Sequence, residues 1–161
     1  MEITLHPLSC KDKDTMLDIL TSREVAKTYM LPDYETREAA LPLFHRLVEL
    51  SQAEDRYVRG ICLKDSLIGF LNDVEIANGT IELGYVLHPD HWGKGYMTQA
   101  LRTAISDLFR LGYRTVLCGA FSHNKASLRV MEKAGMTKTE KTEDIEYRGK
   151  VHPCVYCAIE K

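Results

Sequence analysis

A chain of 161 residues has the length of one domain and can bury a core without disulfide or metal staples. With 45 % hydrophobic and 27 % charged residues it has the make-up of a soluble globular protein, and 21 basic against 23 acidic residues exclude a partner bound by coating nucleic-acid phosphates. No apolar run approaches the roughly 20 residues that span a bilayer, so no membrane partner is expected. The start Met1–Pro7 lacks the basic-then-apolar order of a secretory signal. Five cysteines, an odd number, suit reduced thiols in a cytoplasmic setting.

In chain order, Ile3–Leu8 alternates apolar and polar residues and reads as a short strand. Met16, Leu17, Ile19 and Leu20 give a helical pattern that continues through Val25. A second helical stretch follows Asp33, with Leu43, Phe44, Leu47, Val48 and Leu50 on one face. Pro42 either kinks it or marks its start, because proline lacks an amide proton. From Arg56 the period becomes that of strands. Tyr57–Leu63 and Leu67–Leu71 flank the turn Lys64-Asp65-Ser66, and Asn78-Gly79 turns into a third strand, Thr80–Leu87, which Pro89 ends. After Gly93-Lys94-Gly95, the residues Met97, Ala100, Leu101, Ala104, Ile105 and Leu108 line one face of a helix that closes near Gly112. Thr115–Ala120 is a strand. Asn124 caps a further helix carrying Leu128, Val130, Met131 and Ala134 and closed by Gly135. Strands at Thr137–Glu146 and Val151–Ile159 turn at Arg148-Gly149. The order implies one α/β domain over residues 1–161, with a mixed, mostly antiparallel sheet.

The segment His91–Met97 leads into its helix without a Ser, Thr, Asp or Asn at the expected cap, although a helix start leaves amide protons unpaired. Two glycines admit a close approach, and Lys94 adds positive charge where the helix dipole is already positive. These features read as a phosphate-binding turn, or as a glycine-rich connection with water on its amides. The ATP-binding loop pattern does not match. The dinucleotide fingerprint fails at Thr98 and at Tyr113-Arg114, where it needs a glycine and an acidic residue.

Glu82-Leu83-Gly84-Tyr85-Val86-Leu87-His88-Pro89, then Trp92-Gly93-Lys94-Gly95-Tyr96, then Asn124-Lys125-Ala126-Ser127 through Glu132-Lys133-Ala134-Gly135, resemble the GNAT-superfamily N-acetyltransferases. Within them the chain is most similar to the RimJ/RimL-like branch, which acetylates protein N-terminal amines and diverse small amines. The motifs cover about Thr80–Met136; element order carries the likeness elsewhere. In the family's signature Gln/Arg-x-x-Gly-x-Gly/Ala, Trp92, Gly95 and Met97 stand in the defined slots, and Met97 departs from the small residue. The resemblance implies the GNAT fold: an α+β domain whose central sheet has a splayed parallel strand pair, flanked by about four helices. It also implies acetyl-CoA as cosubstrate. Amides from Gly93, Lys94, Gly95, Tyr96, Met97 and Thr98 would hold the pyrophosphate beside Trp92, and the strand edge at Val86 and Leu87 would pair with the pantetheine arm. The thioester would enter the gap beside Thr115–Ala120, with Asn124 and Ser127 facing the cofactor.

The chemistry needs a neutral amine at the thioester carbonyl, hence a base or a proton-removing water chain. Glu82, acidic in an apolar strand, is the first candidate, since partial burial would raise its pKa toward neutrality; the bland alternative is a solvent-facing strand residue. Glu146 is the second, by likeness to the branch, amid a run with Glu140, Glu143 and Asp144 that also reads as solvated charge. Most superfamily members place a donor tyrosine where this chain has Met131. In the RimJ/RimL-like branch a serine is the proposed donor, and that serine is Ser127, which alternatively is an ordinary first-turn residue. His88 and His91 flank the loop as possible contacts or plain surface histidines. His152, Cys154 and Cys157 have no second Cys pair, and no metal is expected. Cys10, Cys62 and Cys118 read as small core residues. The expected partner is an amine acceptor, a protein N-terminus or a small molecule; a homodimer is left open. The rival reading is an acyl-CoA-binding or regulatory module without turnover, which Met97 and Met131 favour.

Overall fold

The structure, a computed structural model, describes residues 2–161. Seven strands, β1 (Ile3–His6), β2 (Val58–Leu63), β3 (Ser66–Ala77), β4 (Thr80–Leu87), β5 (Thr115–Phe121), β6 (Thr137–Tyr147) and β7 (Lys150–Glu160), form one mixed sheet in the order β1-β2-β3-β4-β5-β7-β6. The β4–β5 pair is parallel, in register from Thr80↔Thr115 to Leu83↔Cys118. The pairs β1–β2, β2–β3, β5–β7 and β6–β7 are antiparallel. The α-helices are α1 (Lys13–Leu20), α2 (Arg23–Ala26), α3 (Leu41–Gln52), α4 (Tyr96–Arg110) and α5 (Lys125–Lys133). This is the GNAT fold, with five α-helices where about four were expected. The chain divides into two compact units, one reaching to Asp73 together with Tyr85–Tyr96, the other Val74–Gly84 with Met97–Lys161.

In the first unit, α1, α2 and α3 bury Leu8, Met16, Leu17, Ile19, Leu20, Val25, Phe44 and Leu47 in a cluster with Val58, Phe70 and Val86. The helical pattern that ran on to Val25 is broken at Thr21-Ser22. The Thr21 hydroxyl donates to the Leu17 carbonyl at 2.6 Å as α1 ends, and Ser22 Oγ accepts from the Val25 amide at 3.2 Å as α2 begins. Two short-range polar side chains thus convert one apolar stripe into two helices. Pro42 lies in the first turn of α3, so it starts the helix rather than kinking it. Strand β3 continues to Ala77, past the expected end at Leu71. Its polar residue Asp73 is buried by pairing with Arg56 (Nη2 to Oδ1, 2.6 Å) and by accepting from the Tyr57 amide at 2.7 Å. Hydropathy therefore hid the strand. Cys10 is exposed in a single 3-10 turn and Cys62 half-buried, so of the three thiols assigned to the core only Cys118 is fully buried.

In the second unit, the expected stripe of α4, Met97, Ala100, Leu101, Ala104, Ile105 and Leu108, is buried throughout. Strand β5 pairs with β7 from Thr115↔Glu160 to Phe121↔Cys154. The β6–β7 hairpin turns at Arg148 (φ 52°) and Gly149 (φ 77°), two left-handed residues as a tight two-residue turn demands. Asn124 Oδ1 accepts from the Ser127 amide at 3.2 Å and caps α5. Met131 is fully buried. Among the described residues no helix is long and apolar enough to cross a membrane.

Candidate active site

The segment that carries the phosphate-turn reading begins as β4 ends. Pro89–His91 forms one 3-10 turn, capped by His88, whose Nδ1 accepts from the Asp90 amide at 3.1 Å. The Trp92 indole Nε1 donates to the Leu87 carbonyl at 2.9 Å, tying the loop back to the strand end while the ring stays 45 % exposed. Gly93 and Gly95 have φ of 74° and 83°, the left-handed region that side chains disfavour, and an added Cβ at either would meet nothing within 4 Å. Lys94 is exposed, and its Nζ donates to the Asp90 carbonyl at 3.3 Å. No acidic residue stands in the first turn of α4. Open space at both glycines, a first turn without acidic residues and a nearby cation suit a pyrophosphate, so these residues fit that group. Met97 and Thr98 are buried, and Met97 belongs to the apolar stripe of α4. Burial, then the Lys94 and His88 charges, push the His91 imidazole below its ordinary range, so it is neutral near pH 7. Its Nδ1 is buried with no hydrogen-bond partner among the described residues.

Val86 and Leu87 are both buried, and the Leu87 carbonyl is engaged by Trp92. Any pairing through this strand end therefore draws on its other backbone groups.

Glu82 lies on β4 opposite Leu117 of β5 and is half-buried. Burial raises its carboxyl above the usual carboxylate range; Lys141 opposes this, and the charges of Glu75 and Glu143 add to it. The same sheet face carries Gly119, directly opposite Tyr156 of β7, and Glu143 of β6, opposite Cys154. Tyr156 is buried, and its hydroxyl donates to Glu143 (3.3 Å to Oε2). Lys141 Nζ stands 4.4 Å from the centre of the Tyr156 ring. Glu146 is exposed and, by strand alternation, shares the opposite face with Asp144. Glu82 thus shares a sheet face with Tyr156 and Glu143, and Glu146 lies on the other face. Ser127 is partly buried in the first turn of α5, and the Asn124 side-chain oxygen is committed to the cap. The sequence reading gave Tyr156, Lys141 and Glu143 no individual part. The available signal was Gly119, a glycine inside a strand, which marks a close approach.

Residues 2–137 match the family described as "Acetyltransferase (GNAT) domain". A probable N-acetyltransferase of Bacillus subtilis, YjcK, is 30 % identical over 146 residues, covering 84 % of this chain and 81 % of the relative. Among solved structures, RimL, a ribosomal-protein alpha-N-acetyltransferase in complex with coenzyme A, superposes with a TM-score of 0.86 at 19 % identity, covering 98 % of this chain and 93 % of that one. Spermidine N-acetyltransferase from Vibrio cholerae, with coenzyme A and spermine, gives 0.82 at 17 % identity, covering 98 % and 95 %. The chain belongs to the GNAT acetyltransferase family. It is an N-acetyltransferase of that family.

Proposed function

We propose that the protein transfers the acetyl group directly to a primary amine, a protein N-terminal amine or a small-molecule amine, with both substrates bound together. The observation that carries this is the loop leading into α4, where two left-handed glycines leave open space beside exposed Lys94. The amides of Gly93 to Thr98, with Trp92 bracing the loop, bind the pyrophosphate; the strand end at Val86 and Leu87 orients the pantetheine arm. Acetyl-CoA supplies an activated thioester carbonyl. Glu82 takes the proton from the attacking ammonium: its half-buried carboxyl, raised by burial, is a stronger base than a solvated one. Ser127, in the first turn of α5, donates toward the departing thiolate, in the place left without a tyrosine by Met131. Asn124 orders that turn. No covalent enzyme intermediate is required.

The two acceptor classes are supported by the similar proteins, one an alpha-N-protein acetyltransferase and one a spermidine N-acetyltransferase. A panel of peptides with free N-termini, polyamines and aminoglycosides, read by thiol release and by the mass of the acetylated amine, tests the reading. Turnover with a primary amine supports it. Acetyl-CoA binding without turnover on any amine contradicts it.

A further inference from the structure

The end of β4 meets β3 at a point where no side chain fits. A Cβ on Gly69 of β3 would stand 2.2 Å from the Val86 carbonyl oxygen and 2.9 Å from Leu87 Cα, both backbone atoms, and 2.8 Å from Leu87 Cδ2. Gly69 does not have a positive φ, so space rather than backbone conformation calls for glycine there. The strand is irregular at the same place. Ile61 of β2 lies opposite Gly69 while Cys62 lies opposite Leu67, which leaves Ile68 as the extra residue of a β-bulge. The Ile68 carbonyl turns to β4 and accepts from the His88 amide at 2.7 Å. The carbonyl of that same peptide group, from Leu87, accepts from the Trp92 indole at 2.9 Å. All these residues lie in one compact unit, and β4 pairs with β5 only from Thr80 to Leu83.

We propose that Gly69 is a positioning residue for acetyl-CoA: by leaving room for the Val86 carbonyl, it aims the Leu87 amide at the pantetheine arm. The proposal rests on the reading that this arm binds at the end of β4. A trans peptide group points its C=O and N–H in opposite directions, and there is no cis peptide bond among the described residues. With the Val86 oxygen set against Gly69, the Leu87 N–H of that peptide group points away from Gly69. The following peptide group is engaged at both ends, its N–H by Ile68 and its C=O by Trp92, so the segment cannot swivel. The strand end thereby presents the Leu87 N–H as a fixed donor, and the amide carbonyls of pantetheine are matching acceptors. A side chain at position 69 has to displace backbone at Val86 and Leu87, not the tip of a flexible side chain alone. Turning that peptide group turns the donor with it.

The test compares wild type, G69A and G60A by calorimetry with coenzyme A and with adenosine 3′,5′-bisphosphate, its nucleotide part without the arm, and by KM for acetyl-CoA. G60A is the control for strain: its Cβ would meet Leu67 Cδ1 at 2.7 Å and Leu8 Cδ2 at 3.0 Å, side chains that do not belong to β4. The expected result for G69A is a loss of roughly tenfold in coenzyme A affinity and in KM, with bisphosphate affinity kept. G60A should lose thermal stability and keep all three constants. In wild type, NMR should show exchange of the Leu87 amide slowed by coenzyme A and not by the bisphosphate, a measurement that stands even if G69A does not fold. Wild-type constants in folded G69A overturn the proposal, as does an equal loss in G60A or an equal loss for the bisphosphate. A Leu87 amide that exchanges alike with and without coenzyme A overturns it too. Wild type binding coenzyme A no more tightly than the bisphosphate overturns the strand-end reading, and the proposal with it.

Discussion

Glu82→Gln keeps the shape and hydrogen bonding of the side chain but cannot take a proton, so the variant must wait for amine that is already neutral. The size of the defect then depends on the acceptor. A simple alkyl amine with a pKa of about 10.4 is neutral in about one molecule in 1,000 at pH 7.4, whereas about a quarter of an α-amine, pKa ~7.7–8.0, is neutral there. General-base loss is worth about 10²–10⁴-fold. The variant should therefore lose about 10²–10³-fold in kcat/KM on an alkyl amine near neutral pH but only severalfold on an N-terminal amine. It should recover about tenfold per pH unit until the amine itself is free. The assay is thiol release over a pH series with one acceptor of each type, and Glu146→Gln, exposed on the other sheet face, should do much less. A Glu82→Gln profile superimposed on wild type at every pH, with either acceptor, would refute the reasoning. The same variant has a stability signature. Because burial raises the folded-state pKa of Glu82, its contribution to stability is complete below the unfolded value of about 4.3 and is lost as pH rises through the folded value. Thermal unfolding should show the Gln variant gaining on wild type as pH rises through that window; a constant difference in Tm would contradict the burial argument.

Gly95→Val should weaken acetyl-CoA binding by about tenfold or more, about 1.4 kcal/mol, by forcing the loop out of its left-handed conformation, while the open space around it lets the variant fold. Gly149→Val is the matched control, with φ of 77° and equally open surroundings on the β6–β7 turn; calorimetry showing the same loss for both would remove the loop from the site. Ser127→Ala should lower kcat by about 10–10³-fold with acetyl-CoA affinity kept, whereas a fall in affinity with kcat intact would make Ser127 a positioning residue. Asp73→Ala leaves the buried Tyr57 amide without its acceptor and Arg56 without its partner, and urea unfolding should register a loss of about 3 kcal/mol. A loss under about 0.5 kcal/mol would show that water replaces Asp73.

Much of the fold was legible because its signals are local. The third strand was read at Thr80–Leu87, as found, since Asn78-Gly79 and Pro89 punctuate both ends. The α4 stripe, the Asn124 cap and the Arg148-Gly149 turn were equally local. What stayed hidden depends on distant partners. Asp73 lies past the expected strand end at Leu71 until Arg56, in the segment just before β2, accounts for its burial, and the stripe from Met16 to Val25 conceals a break made by two hydroxyls. At the site, the glycine turn was visible as chemistry in one short segment. The Glu82 surroundings were not, because Lys141, Glu143 and Tyr156 reach it only after β7 inserts between β5 and β6. Tyr156 has no individual part in the sequence reading; its ring over Gly119 is a fact of strand pairing.

The most direct test of direct transfer is a single turnover with enzyme in excess over acetyl-CoA, in the presence and absence of a turned-over primary amine. Rapid quenching and mass spectrometry would follow the protein, the thiol and the amine together. The account predicts one acetylated amine for each thiol released, no thiol release without amine, and no acetylated protein at any time. Acetyl groups accumulating on the protein before the amine is added, or thiol release independent of amine, would contradict it.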